Sequence, residues 1–307
     1  MNGGTSSSDE IRAQQLNWAR GIVRDSKRND YVERIEDNLF LRRLSPDSEA
    51  EFSAADGAEL KDTRKRPAKM RALVSSSALA VNFFDAWRYV NKQKLAVALG
   101  LPSDLSRLSF EFKPIGYPVR PRTPNLDLLL ALSDGRCVAV ESKFMEPYSG
   151  KTAAGLSQRY FSSPGGLWEA VNLPHAQRLA DDLQPRWHYL DVAQLLKHML
   201  GLASDPTHPF ALFYLWYDTG LPDAQAHRDE VALFAEQVRG DGVVFLAHTY
   251  QEIFESMAKD FEPMTGWHAY FSGRYIHGAT AVSRQTGSNT DEDRKKGVGL
   301  EGKDDAW

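Results

Sequence analysis

Thr123-Pro-Asn-Leu-Asp-Leu-Leu-Leu-Ala-Leu-Ser-Asp-Gly-Arg-Cys-Val-Ala-Val-Glu-Ser-Lys-Phe-Met-Glu146 is the stretch from which the fold can be read. Two apolar runs, 126–132 and 137–140, flank Ser133-Asp134-Gly135-Arg136, and runs of this length around a Gly-containing turn predict a β-hairpin buried on both faces. Asp127, Glu141 and Lys143 interrupt the apolar pattern. Burying such groups costs several kcal/mol, roughly, unless each is paired or bound to a metal. Glu141 and Lys143 are two residues apart and share a strand face. A two-residue turn would set Asp127 opposite Ser142, on the wrong face. A three-residue loop, Ser133-Asp134-Gly135 with Gly135 left-handed, sets it opposite Glu141. In that register the two carboxylates should converge to about 3–6 Å, the span one cation bridges.

Working outward, the order of elements is helix, strand, hairpin, helix, strand. Ser75-Ser-Ser caps an apolar helix over 78–90, followed by further helix through Leu99. Residues 105–113 read as a strand closed by Pro114. Past the hairpin, short helical pieces are expected at 167–171 and 175–183, with an amphipathic helix at 189–202. A buried aromatic strand follows at 210–217, then a helix at 223–239, a strand at 243–248 and a helix at 251–260. Residues 267–275 read as a last edge strand. Upstream, residues 1–8 are low-complexity and expected to be disordered, Asp9 caps a helix of about sixteen residues, and 31–41 form a second short helix. Residues 44–68 read as a polar linker, and the Ser, Gly, Asp and Lys content from 279 to 307 as a disordered tail. The organisation expected is therefore N-terminal helices and linker over 9–68 and one domain over 69–278.

Asp127 followed, after thirteen residues, by Glu141-Ser-Lys143 resembles the PD-(D/E)XK nuclease superfamily. The literal pattern is weak, because Glu-x-Lys occurs four times, at Glu59, Glu111, Glu141 and Glu301. Pro46-Asp47 even precedes Glu59-Leu-Lys61 at a suitable distance. Residues 44–68 have no period-2 apolar run, so nothing there would hold three charges rigidly, and Asp47, Glu59 and Lys61 are expected to be exposed and apart. Glu301 lies in the polar tail, and Glu111 has no aspartate suitably upstream.

The longer text is more specific. Ser75-Ser-Ser-Ala-Leu-Ala-Val-Asn-Phe-Phe84 is similar to the Ser-Ser-Gln-Ala-Leu-Ala-x-Asn-Leu-Phe helix of a branch of restriction endonucleases in that superfamily. Phe110-Glu-Phe112 resembles its first core strand, and Gln194-Leu-Leu-Lys-His198 its Gln-Leu-Leu-Arg-His helix. Together these cover roughly residues 70–220; Ser77, Ser142 and Lys197 depart from the usual Gln, Val and Arg. The resemblance implies an α/β restriction-endonuclease-like core, α-β-β-β-α-β, with a mixed central sheet flanked by helices and an N-terminal helical extension.

It also implies roles. Asp127 and Glu141 would ligate Mg²⁺ or Mn²⁺, hard cations that prefer carboxylate oxygen. Lys143 would orient a water or stabilise the phosphorane. Glu111 would be a further ligand or an orienter, the alternative being an ion pair with Lys113 or Arg120. Gln194 would bond a metal water or a nucleotide, or be a plain helix-surface amide. The implied activity is metal-dependent endonucleolytic hydrolysis of DNA of restriction or defence type, and a homodimer is compatible with it. A silent nuclease-fold protein that binds nucleic acid without cutting is the alternative, and a purely structural protein with a surface Glu141–Lys143 pair a third.

Composition bears on these readings. A chain of 307 residues with 42% hydrophobic content can bury a substantial core. A net charge of −4 argues against general polyanion binding, so DNA contact must be local. The candidates are Lys65, Arg66, Lys69 and Arg71 in the basic run 61–71, plus Arg120 and Arg122; a solvated linker is the plain alternative. One cysteine, Cys137, excludes a disulfide framework and reads as core packing, and eight dispersed histidines give no zinc-hydrolase motif. No apolar run approaches a membrane span and no signal peptide opens the chain, so a cytoplasmic protein is expected.

Overall fold

The hairpin register is the three-residue one. In the computed structural model, Leu132 N donates to Arg136 O at 2.9 Å and Gly135 N to Leu132 O at 3.3 Å. Gly135 has φ 87°, a left-handed position that costs glycine nothing. Asp134 accepts from Arg136 N at 3.0 Å, which fixes the loop. The structure describes residues 5–276 except 26, 56–57, 120–122, 151–154, 162–165, 184–186 and 258–260.

The chain begins with α1 (Ser7–Trp18), then β1 (Arg24–Asp25) and β2 (Arg28–Val32), a small antiparallel pair. Next come α2 (Pro46–Ala54), α3 (Ser76–Phe84) and α4 (Lys92–Ala98). The main sheet starts with β3 (Leu105–Phe112), β4 (Leu126–Leu132) and β5 (Cys137–Lys143). After α5 (Pro174–Asp181) and α6 (Val192–Ala203), β6 (Phe210–Trp216) joins it; α7 (Pro222–Gln237) leads to β7 (Val244–Thr249). Finally α8 (Tyr250–Ser256) and α9 (Trp267–Phe271) run into a π-helical turn, Ser272–Ile276.

The sheet order is β3-β4-β5-β6-β7, antiparallel among the first three strands and parallel from β5 onward. Helices cover both faces, as the expected restriction-endonuclease-like α/β core requires. Leu128, Leu130, Val138 and Val140 face α3, α4, α8 and α9, while Leu129, Cys137 and Ala139 face α5, α6 and α7. This explains the near-continuous apolar runs: a strand covered on both faces has no polar side. Cys137 is 2% exposed and packs in that core, and burial pushes its thiol up.

Four expectations are corrected. Ser6, not Asp9, caps the first helix, which begins three residues earlier and whose Ser7 Oγ donates to Asp223 Oδ1 at 2.5 Å. Residues 31–41 hold the end of a strand and a 3-10 turn, Ile35–Asn38, instead of a helix. Residues 44–68 are not merely a linker, because Ser45 caps α2 and Phe52 enters the core. Lastly, 267–275 is helical, with Trp267, Phe271 and Tyr275 at i, i+4 and i+8 all fully buried. Expectations for residues 1–4 and 279–307 lie outside the described residues. No described helix is long and apolar enough to cross a membrane.

Candidate active site

Strand register assembles the acids into a row. Phe110 pairs with Leu128 and Phe112 with Leu126, which sets Glu111 opposite Asp127. Leu128 pairs with Val140, which sets Asp127 opposite Glu141, and Glu141 pairs with Tyr214 on β6. Three adjacent strands therefore carry Glu111, Asp127 and Glu141 side by side, with Lys143 two residues beyond.

Each side chain has defined partners. Asp127 Oδ2 accepts from Ser142 N at 2.7 Å. Glu141 is 2% exposed, and its Oε1 accepts from Lys143 Nζ at 2.5 Å. Lys143 Nζ also donates to Gln194 Oε1 at 2.9 Å. Gln194 lies in the first turn of α6, where Asp191 caps the helix by accepting from Gln194 N. Ser142 points to the other sheet face and bonds Tyr250 OH at 2.7 Å.

The electrostatics follow from this packing. Burial and then the facing Glu141 push the Asp127 carboxyl well above the usual carboxylate range, with Glu111 adding to the effect. Burial opposes ionisation of Glu141 too, but Lys143 and His198 outweigh it and hold it low. Burial alone would favour neutral Lys143; the carboxylates of Glu141, Glu146 and Asp127 reverse that and keep it an ammonium.

Glu111 has φ 57°, a left-handed conformation unusual for a non-glycine residue and costly by roughly 1–3 kcal/mol. Its carboxylate accepts from Asn125 Nδ2, and burial raises its pKa. Among the described residues no three His, Cys, Asp or Glu side chains are grouped to hold a metal ion. Mg²⁺ needs only one or two protein carboxylates, since it keeps several waters. Asp127 and Glu141 fit that demand: both offer hard oxygen donors, and Asp127 sits between two acids whose repulsion a cation would relieve.

The basic candidates are dispersed. Lys65 and Arg66 are exposed. Lys69 Nζ pairs with Glu59 Oε1 at 2.5 Å, and Arg71 bonds Asp25, Asp62 and Val32 O. Arg120 and Arg122 lie outside the described residues. Asp47 and Lys61 are exposed, and Asp47 accepts from Tyr89 OH. Glu59, expected to be exposed, is instead 5% exposed, held by Lys69 and Ser77 and close enough to raise the Glu111 pKa. The ion pair with Lys69 makes its burial tolerable.

Sequence reasoning assigned no role to His198. It lies four residues after Gln194 on α6, 2% exposed, with Nε2 3.1 Å from Glu141 Oε2. The i, i+4 spacing to Gln194 was the available signal.

A family described as restriction endonuclease associating with ARP matches residues 8–276. The chain belongs to this family. No curated protein and no solved structure matches the chain. The family match extends well beyond the stretch that carried the sequence resemblance, from α1 to the π-helical turn. That extent agrees with the packing, since Ile11, Phe52, Trp267 and Tyr275 share one core with β4 and β5. The restriction-endonuclease family makes nuclease chemistry the frame for the acidic row.

Proposed function

We propose that the chain is a Mg²⁺- or Mn²⁺-dependent endonuclease that hydrolyses DNA phosphodiester bonds in a restriction or defence role. The observation that supports the reading is the strand register that puts Asp127 and Glu141 at opposed positions, with Glu141 and Gln194 both bonded to Lys143. Asp127 and Glu141 would hold the cation. When bound, such a cation lowers the pKa of its water and offsets charge building on the scissile phosphate.

The protein's own contribution is to fix charge in place. The carboxylates of Glu141, Glu146 and Asp127 favour the ammonium form of Lys143, which supplies positive charge at the site. Two of its three N–H donors go to Glu141 and Gln194. The third is left for a phosphate oxygen or the attacking water. Gln194, anchored by its helix cap, sets the direction of that donor. The sheet behind it is packed on both faces, which keeps these groups from drifting apart.

The test is incubation with plasmid and linear DNA in Mg²⁺, Mn²⁺ or EDTA. Cleavage is expected with either metal and absent in EDTA. Asp127→Ala and Glu141→Ala should each abolish it, and Lys143→Ala should lower the rate on the order of 10²-fold or more. DNA that is bound but stays intact with every metal would favour the non-cutting binder.

A further inference from the structure

Helix α6 presents two polar side chains to the strand that carries Glu141 and Lys143. Gln194 and His198 are four residues apart and so share a helix side. Gln194 Oε1 takes Lys143 Nζ at 2.9 Å, and His198 Nε2 stands 3.1 Å from Glu141 Oε2. One helix face thus meets both charged residues of Glu141-Ser142-Lys143. His198 and Glu141 are each 2% exposed. Neither ring nitrogen of His198 nor Glu141 Oε2 completes a hydrogen bond of good alignment in this arrangement. Leu195, Leu196 and Met199 fill the neighbouring helix positions in the same core, so packing alone would be served by an aliphatic residue at 198. Buried polar atoms without firm partners need another explanation.

We infer that His198 is a positioning residue: its ring, 3.1 Å from Glu141 Oε2, keeps that oxygen turned toward α6, so that Oε1, which also accepts from Lys143 Nζ, would be the one oxygen to meet a cation. The inference rests on the two-carboxylate metal reading above and adds a selectivity to it. Single-oxygen ligation suits Mg²⁺ and Mn²⁺, which demand near-octahedral geometry; a carboxylate free to rotate can offer both oxygens, as the larger Ca²⁺ accepts. His198 therefore biases the site toward the smaller cations. It touches neither substrate nor cation, and it acts through Glu141, as outer-shell partners of metal ligands do.

The test is calorimetric titration of the full-length protein with Mn²⁺ and with Ca²⁺, without DNA. His198→Leu keeps apolar packing and removes the ring nitrogens; it should weaken Mn²⁺ binding about 10–100-fold and lower the Mn²⁺/Ca²⁺ affinity ratio. His198→Gln sets an amide near the Nε2 position and should restore most of the Mn²⁺ affinity. A folded His198→Leu protein with unchanged Mn²⁺ affinity and ratio would overturn the inference while leaving the metal site standing. If the leucine variant does not fold, the glutamine variant decides, and loss of Mn²⁺ affinity in a stably folded His198→Gln protein overturns it. Wild-type protein that binds neither ion overturns the metal reading, and this inference with it.

Discussion

Asp127 lies between two other carboxyl groups. It faces Glu141 on one side and Glu111 on the other, and burial plus the Glu141 charge keep its carboxyl protonated well above the ordinary range. Replacing it with asparagine removes the repulsion and keeps an oxygen for Ser142 N. Asp127→Asn should therefore melt at the same temperature as wild type or higher in EDTA, and should lose the stabilisation that Mn²⁺ gives wild type. Thermal melts with and without Mn²⁺ check this, and a marked drop in EDTA would contradict it. His227 carries a different pH signal. It is fully buried, with Nε2 3.0 Å from Tyr214 OH, and burial, with a smaller push from Lys143, lowers its pKa from 6.5 to about 3. The unfolded chain binds this proton first, so stability present above pH 6.5 is lost as pH falls toward about 3. The slope from this one group reaches about 1.4 kcal/mol per pH unit. Urea unfolding of wild type and His227→Gln at pH 7 and pH 5 should show a smaller acid loss in the variant.

At the scale of elements, α2 matters more than its polar sequence indicates. Glu51 on this helix accepts from Phe110 N of the edge strand β3 at 2.8 Å and also pairs with Arg88 at 2.6 Å. Asp85, 2% exposed, accepts from Ser45 N, Ser45 Oγ, Ser48 Oγ and Arg88 Nε. The helix thus covers the sheet's edge, where unpaired N–H groups would invite association. It is joined to the segment after α3 by a buried charge network. Asp85→Ala should cost about 3–5 kcal/mol, since it leaves Arg88 and two hydroxyls short of partners. Denaturant titration checks this, and a loss below about 1 kcal/mol would place α2 outside the cooperative unit.

Contacts between the first and last described elements tie the packed body together. Arg274, fully buried in the last turn, donates to Gln15 Oε1, Asn38 O and Asn38 Oδ1, and lies over the Trp18 ring at 3.8 Å. The N-terminal helix therefore belongs to the same packed body as the sheet. Charge on the outside is mixed, with a net of −4, so DNA affinity has to come from local cations. Lys65 and Arg66 are exposed and engage no acid among the described residues, unlike Lys69 and Arg71. Changing both to alanine should weaken DNA binding and flatten the slope of log affinity against log salt by roughly two, while cleavage at saturating DNA stays unchanged. Filter-binding over a salt series measures this, and an unchanged slope would put the phosphate contacts elsewhere.

The hairpin and its register were legible from the sequence because they are local: six apolar residues around Asp127, a glycine able to take φ 87°, and a period of two decide where Asp127 points. The strands on either side were legible from equally local apolar runs. Where sequence reading failed, distant partners supplied the missing energy. Glu59 could be buried only because Lys69 and Ser77 meet it, and α2 forms against β3 and Arg88 despite its weak apolar face. The last helix was misread as a strand because Trp267, Phe271 and Tyr275 look like β-formers, yet their spacing of four suits the groove that α3 and α8 leave open. His198 shows the same division within the site. Its place on α6 is set by the chain's periodicity, but its 3.1 Å approach to Glu141 exists only once the helix packs across the sheet, a contact between residues 57 positions apart.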